Sequence, residues 1–118
     1  MIKLIATDID GTLLKDGTLM IDPEYMTVIE KLTSKEIIFV ACSGRQFISE
    51  RKLFAPVCDK LLYITDGGTV VRTPHKILKV HTLPEDVWHG MCETVRNELP
   101  DCDYFIATPD YCLAEDAG

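Results

Sequence analysis

Three short apolar runs, each ending in a polar or glycine-bearing turn, constrain this chain more than any other feature. Ile2-Lys3-Leu4-Ile5-Ala6-Thr7 stops at Asp8, and Ile37-Ile38-Phe39-Val40-Ala41-Cys42 stops at Ser43. Leu61-Leu62-Tyr63-Ile64 stops at Thr65-Asp66-Gly67-Gly68. Runs this short and this uniformly apolar read as buried strands. Helical segments separate them. Asp22-Pro23 is a helix start, with Asp as cap and Pro at the first helical position, and Tyr25, Met26, Ile29 and Leu32 follow at helical spacing. Gln46 to about Phe54 is a shorter helix, stopped near Ala55-Pro56. Strand, helix, strand, helix, strand predicts an α/β fold with a Rossmann-like parallel sheet and right-handed crossovers. Ligands of such sheets bind beyond the carboxyl ends of the strands. The residues expected to converge there are Asp8 and Asp10, Ser43 to Arg45, and Asp66 to Gly68.

After Gly68 the pattern changes. Thr69 to Arg72 and Lys76 to Val80 flank Thr73-Pro74-His75, which predicts a hairpin. Pro84 opens an amphipathic helix carrying Val87, Trp88, Met91, Cys92, Val95 and Leu99 on one side, expected to pack in a core. Cys102 to Ala107 reads as a further strand, and no helix follows it to finish the unit.

Composition narrows the function classes. The 118 residues include 12 Lys+Arg and 19 Asp+Glu, a net charge of −7, which argues against a nucleic-acid partner. No apolar run approaches the roughly 20 residues of a membrane span, and no signal-peptide pattern opens the chain, so a cytoplasmic protein is expected. Five cysteines without a C-x-x-C pair suggest neither a disulfide framework nor a zinc site, and reduced, mostly buried thiols are expected. His75, His81 and His89 are too scattered for a metal cluster.

Asp8-Ile9-Asp10-Gly11-Thr12-Leu13 places two carboxylates at i and i+2 before a glycine turn. In extended backbone such residues face the same way, and carboxylates that close repel unless a proton or cation intervenes. A hard ion such as Mg²⁺ would relieve the repulsion through oxygen ligands, and backbone N–H groups at the glycine turn suit an anion.

This run, in the context Ile5-Ala6-Thr7-Asp8-Ile9-Asp10-Gly11-Thr12-Leu13-Leu14, resembles the first motif of the haloacid dehalogenase-like superfamily of phosphohydrolases, in its Cof-type sugar-phosphatase branch. Val40-Ala41-Cys42-Ser43-Gly44-Arg45 resembles the second motif. Tyr63-Ile64-Thr65-Asp66-Gly67-Gly68 stands where that branch has Asn-Gly-Ala, with Asp66 and Gly68 as departures. The resemblance implies Asp8 as nucleophile and Asp10 as general acid and base. It implies Mg²⁺ at Asp8 and Asp10, held by the Asp8 carboxylate and the Asp10 backbone carbonyl. It further implies phosphate contacts from the Ser43 hydroxyl and the N–H groups of Gly11, Thr12 and Gly44. Arg45 either reaches the substrate phosphate or pairs with a nearby acid. A small phosphorylated metabolite, such as a sugar phosphate, is the implied substrate.

The resemblance extends only to the front of such a protein. A later Lys and a Gly-Asp-x-x-Asn-Asp motif are not found, so weak or no turnover is expected of this chain by itself. Residues 1–82 are expected to be the front of a core domain and 83–118 the start of an α+β cap. A three-stranded piece of sheet would expose an edge, through which oligomers are expected. Three other readings stand beside the phosphatase: a non-catalytic relic or phosphate-binding protein, a mutase or phosphotransferase on the same scaffold, and, more remotely, a receiver-type phosphoacceptor domain.

Overall fold

The computed structural model describes residues 1–115; Asp116, Ala117 and Gly118, the end of the expected second unit, lie outside the described residues. The elements are β1 (Leu4–Asp8), α1 (Pro23–Ser34), β2 (Ile38–Cys42), α2 (Phe47–Leu53), β3 (Leu62–Thr65), β4 (Val70–Arg72), β5 (Ile77–Val80), α3 (Glu85–Glu98), β6 (Tyr104–Ala107) and β7 (Cys112–Glu115). A 3₁₀ segment (Ala55–Lys60) precedes β3 and a single 3₁₀ turn (Asp66–Gly68) follows it.

The start of α1 follows from its sequence. The Asp22 side chain accepts the Glu24 N–H at 2.9 Å and Pro23 occupies the first turn, so one orphan donor is satisfied and the other position needs none. The helix then buries Ile29. β1, β2 and β3 pair in parallel, with Asp8 level with Cys42. Ile9, Ile29, Phe54 and Tyr63 are essentially sealed from water beneath them, each contributing roughly 1.5–3 kcal/mol by burial.

Here the structure departs from a bare three-stranded piece. The hairpin predicted after Gly68 joins the same sheet: β4 pairs antiparallel with β3, and β5 with β4, in the order β1-β2-β3-β4-β5. The turn at Asp66–Gly68 is too short for a crossover, so the returning strand can only run antiparallel. β3 is therefore covered, and β1 is the outer strand on the opposite side among the described residues. Leu4 and Ile38 are about half exposed there, and Leu19 and Met20 stand largely in solvent. We expect this chain to self-associate through that edge: light scattering should give a mass above 13.3 kDa that rises with concentration. A concentration-independent monomer would contradict this.

α3 and the antiparallel pair β6–β7 form a second, thinner layer. Its apolar stripe is less buried than the helical spacing predicts. Cys92 is buried, but Val87, Met91 and Leu99 are exposed. A two-stranded ribbon is too narrow to cover the whole stripe, and a groove lined by Trp88, Met91, Cys92, Val95, Tyr104 and Ile106 stays open. Trp88 and Tyr104 are half-buried and Tyr111 is exposed, so none is a sealed core residue. The cysteines also depart from expectation: all five are free, but Cys102 and Cys112 are exposed. The radius of gyration, 17.1 Å, exceeds the roughly 13.5 Å of a single compact globule of this length, consistent with two layers side by side.

Candidate active site

The parallel register delivers the first acidic pair and the Ser43 loop to one end of the sheet, because Asp8 lies beside Cys42. Beyond Asp8 the chain turns sharply around Ile9, whose side chain is fully buried. The Ile9 carbonyl accepts both the Thr12 N–H (3.1 Å) and the Leu14 N–H (2.9 Å), and the Gly11 N–H donates to the Leu14 carbonyl (2.8 Å). Gly11 has φ +79°, a conformation that other side chains rarely adopt. Within this turn the Thr12 hydroxyl donates to Asp8 Oδ2 at 3.1 Å, orienting the carboxylate.

Asp10 faces the second loop. Arg45 Nε donates to both its oxygens (3.2 and 3.0 Å), and Arg45 Nη2 donates to Oδ1 at 2.8 Å. The Ser43 hydroxyl donates to Asp10 Oδ2 at 3.3 Å and accepts the Arg45 N–H at 3.1 Å. Arg45 is itself braced, its Nη1 donating to Ser49 Oγ at 2.9 Å. The guanidinium beside Asp10 holds that carboxyl below the ordinary carboxylate range, and Ser43 lowers it further. A side chain held this way stays ionised and is a weaker base than a free carboxylate, so Asp10 is poorly disposed to hold a proton while the pair is closed.

The third loop is stitched to the second. The Asp66 N–H donates to the Arg45 carbonyl (2.9 Å) and the Gly67 N–H to the Ser43 carbonyl (3.2 Å). Asp66 has φ +53°, a region where Asn and Asp are enriched; the Asp-for-Asn departure therefore keeps the turn. Its carboxylate is engaged locally, Oδ2 accepting the Thr65 hydroxyl at 2.7 Å.

The structure thus brings Asp10, Ser43 and Arg45 into direct contact and sets Asp8, Gly11, Thr12 and Gly44 in the same loop cluster. Of the two uses open to Arg45, it makes the ion pair. The expected anion contacts of the Gly11 and Thr12 N–H groups meet a difficulty: both are donated within their own turn. A four-residue turn this tight needs those bonds to close. Gly44 has open space around it.

Sequence reasoning missed Glu50. It is completely buried, and neither carboxyl oxygen has a hydrogen-bond partner. Burial, reinforced by the Asp66 charge and partly offset by Arg45, raises its pKa from 4.5 to about 8. Its position was a signal. Glu50 falls three residues after Phe47 and four before Phe54, inside the stripe those two buried residues define.

Replacing Arg45 by Gln should return the Asp10 carboxyl toward its ordinary value of 3.8. Carboxyl-carbon NMR titration of both proteins reads this directly, and an unchanged Asp10 titration would show that the ion pair does not operate in solution.

The Asp8 carboxylate and the Asp10 backbone carbonyl are hard oxygen donors, of the kind that suits a small divalent cation. Among the described residues no group of three or more His, Cys, Asp and Glu side chains gathers as a metal cluster, so these donors form a partial set. Nor is any described helix long and apolar enough to cross a membrane.

Known proteins resemble this chain in sequence and in fold. A solved protein of Eubacterium rectale shares 73% identity and superposes with a TM-score of 0.89, covering 99% of this chain and 44% of that one. The 5-amino-6-(5-phospho-D-ribitylamino)uracil phosphatase YbjI of Escherichia coli (strain K12) is 30% identical over 92 residues, which is 78% of this chain and 34% of that protein. The HMP-PP phosphatase of Serratia proteamaculans (strain 568) is 28% identical over 95 residues, 80% of this chain and 34% of that protein. The chain therefore spans about a third of the length of the curated relatives it matches. Residues 5–117 match the haloacid dehalogenase-like hydrolase family, and with the doublet, the Ser-Gly-Arg loop and the parallel strands in place, the chain belongs to that family.

Proposed function

We propose that this chain carries the front half of the active site of a Mg²⁺-dependent phosphohydrolase that acts on a small phosphorylated metabolite through an aspartyl-phosphate. Residues 1–82 are read as the first part of the core domain and residues 83–118 as the start of a cap. The observation that carries the reading is the meeting of Asp8, Asp10, Ser43 and Arg45 at the carboxyl ends of adjacent parallel strands. Two relatives of the chain are themselves named phosphatases of phosphorylated small molecules.

In this mechanism an Asp8 oxygen attacks phosphorus while Thr12 holds the other. The bond from phosphorus to the ester oxygen breaks, and the departing oxygen takes a proton from the Asp10 carboxyl. Water then attacks the aspartyl-phosphate, Asp10 takes its proton, and phosphate leaves with Asp8 regenerated. The Asp10–Arg45 pair as it stands leaves Asp10 ionised, the form from which the second step begins, while weakening it as a base. For the first, Asp10 must be protonated, so Arg45 must turn from it, and an incoming phosphate dianion is the natural competitor for the guanidinium. Ser43 and the Gly44 N–H are the further phosphate contacts, with Gly11 shaping the turn. The Asp8 carboxylate and the Asp10 carbonyl would hold Mg²⁺, which would supply neutralisation of negative charge.

The test is to treat the chain with a small phosphoryl donor and Mg²⁺ and to map the labelled residue by mass spectrometry after borohydride trapping. Label on Asp8 is expected. Label on Asp66 would favour a receiver-type phosphoacceptor. Phosphate binding without label would favour a non-catalytic phosphate-binding protein.

A further inference from the structure

Two apolar surfaces of the chain lie open, at opposite ends of it. The first is the groove beside α3. Met91 and Phe105 on its walls are 57% and 69% exposed, with Trp88, Val95 and Ile106 half-buried beside them. Its volume, about 260 Å³, falls below the roughly 300–1,000 Å³ of small-molecule sites and suits a few side chains. The second surface is the outer edge of the sheet at the start of β1, where Ile2, Leu4 and Ile38 are 67%, 52% and 48% exposed. β5 runs in the same direction as β1, being two antiparallel steps from β3, and α3 follows its carboxyl end. The second layer therefore leaves the sheet at the end opposite to Ile2, in a molecule 53 Å long. One copy cannot close its own groove on its own edge.

The surroundings of the two surfaces carry opposite charge. Residues 83–115 hold eight Asp and Glu but one Lys or Arg, Arg96, which donates to both Glu115 oxygens at 2.9 and 2.6 Å. Glu98 lies on the groove's side of α3, three residues after Val95 and seven after Met91. Residues 1–82 hold eleven Lys and Arg against ten Asp and Glu. Three of those lysines gather at the start of β1 and β2. The Ile38 N–H donates to the Lys3 carbonyl at 2.9 Å, Lys35 precedes Ile38 by three residues, and Lys31 lies one helical turn before Lys35. All three are exposed, and none is ion-paired among the described residues. The acids nearby are Glu36 and Glu30, and Lys60 holds Glu30 at 2.7 Å. Copies of net charge −7 repel one another in most orientations. Groove on groove sets acid against acid, and edge on edge sets lysine against lysine. Groove on edge buries apolar surface from both copies and brings opposite charges together.

We propose that the groove beside α3 is a docking site for the β1 edge of a second copy of this chain. Ile2, Leu4 and Ile38 enter the groove, and Lys3, Lys31 and Lys35 face the carboxylates of the acidic layer. The contact is heterologous: each copy gives its groove to one neighbour and its edge to another, so association builds open-ended strings, not closed dimers. This gives the self-association expected of the β1 edge a definite partner surface, and it does not rest on the phosphatase reading.

Light scattering of the whole chain and of variants at each surface tests it. The double variant Lys3→Glu/Lys35→Glu reverses the charge of the edge. Met91→Glu sets a charge in the groove, and Phe105→Ser removes part of its wall. All four positions are exposed, so the sealed core stays in place; circular dichroism checks this, and Phe105→Ser carries the test if Met91→Glu loses helix. The wild-type mass should rise above 13.3 kDa with concentration, and the apparent Kd should weaken roughly tenfold between about 0.02 and about 0.5 M salt. Each variant alone should associate at least roughly tenfold more weakly. An equimolar mixture of the edge variant with a groove variant should regain association and stop at two copies, because one intact groove and one intact edge make a single contact. Groove variants that associate like the wild type would show edge on edge, and an edge variant that does so would show groove on groove. Either result overturns the proposal, as would a monomeric wild type, a mixture no heavier than its parts, or association indifferent to salt.

Discussion

Asp8→Asn is expected to abolish covalent labelling by a phosphoryl donor and to lower any phosphate-ester turnover by at least roughly 10³-fold. The amide has nearly the shape of the carboxylate and can still take the Thr12 hydroxyl bond that Asp8 Oδ2 accepts at 3.1 Å. What it loses is the nucleophilic oxygen. Asp8 lies at the exposed end of β1, not in the core, so the substitution should leave thermal unfolding within about 0.5 kcal/mol of the wild type. The comparison therefore separates chemistry from folding. Labelling and turnover are to be measured on this chain and on a longer protein that carries the same 118 residues. Retention of label in the Asn variant would remove Asp8 from the nucleophile's role.

Glu50→Gln is expected to stabilise the chain at neutral and mildly alkaline pH and to flatten its pH dependence. The Glu50 pKa is raised from 4.5 to about 8, chiefly by burial, with Asp66 adding to the shift. Between those values the folded chain keeps a proton that the unfolded chain has released. The stability it confers is fully present below pH 4.5 and is lost as pH rises toward 8, at a slope of about 1.4 kcal/mol per pH unit. Glutamine has no charge to bury, so the variant should unfold at higher urea concentration at pH 8, and the two curves should converge near pH 5. Equal slopes across pH 5 to 8 would show that Glu50 ionises freely in the folded chain. Glu115 shapes the acid limb in the opposite sense. Arg96 and Tyr104 hold its pKa down to about 2, so its contribution is present above pH 4.5 and fades as pH falls toward 2.

The Glu50 result also bears on the candidate site. The same burial that raises Glu50 puts a latent negative charge beneath Arg45, and Glu50 in turn helps raise the Cys42 thiol, after burial of that thiol itself.

Much of the fold was legible from local pattern alone. β1, β2 and β3 were visible as apolar runs, and α1 from its Asp22-Pro23 start, because burial on both faces and capping chemistry each leave a mark within a few neighbouring residues. The candidate site was legible for the same reason: a parallel sheet must gather the ends of its strands, so Asp8, Asp10, Ser43 and Arg45 were bound to meet. β7 was not seen, since Cys112–Glu115 is exposed along its length and carries no alternation. The exposure of α3 was not seen either, because a helical stripe reports which residues share a face but not how wide a surface awaits it.

What only the tertiary structure decided are the choices among partners. Arg45 had two uses open on paper, phosphate or a nearby acid, and the fold sets it on Asp10. The N–H groups of Gly11 and Thr12 were candidate anion donors until the turn itself claimed them. Glu50 looked like one more charge on a short helix, and only packing shows it sealed without a partner. Arg72 finds its carboxylate 38 residues later, across two layers. A sequence states which groups need partners; which partner each one takes depends on distances between segments that fold together, and those distances are set by the whole chain.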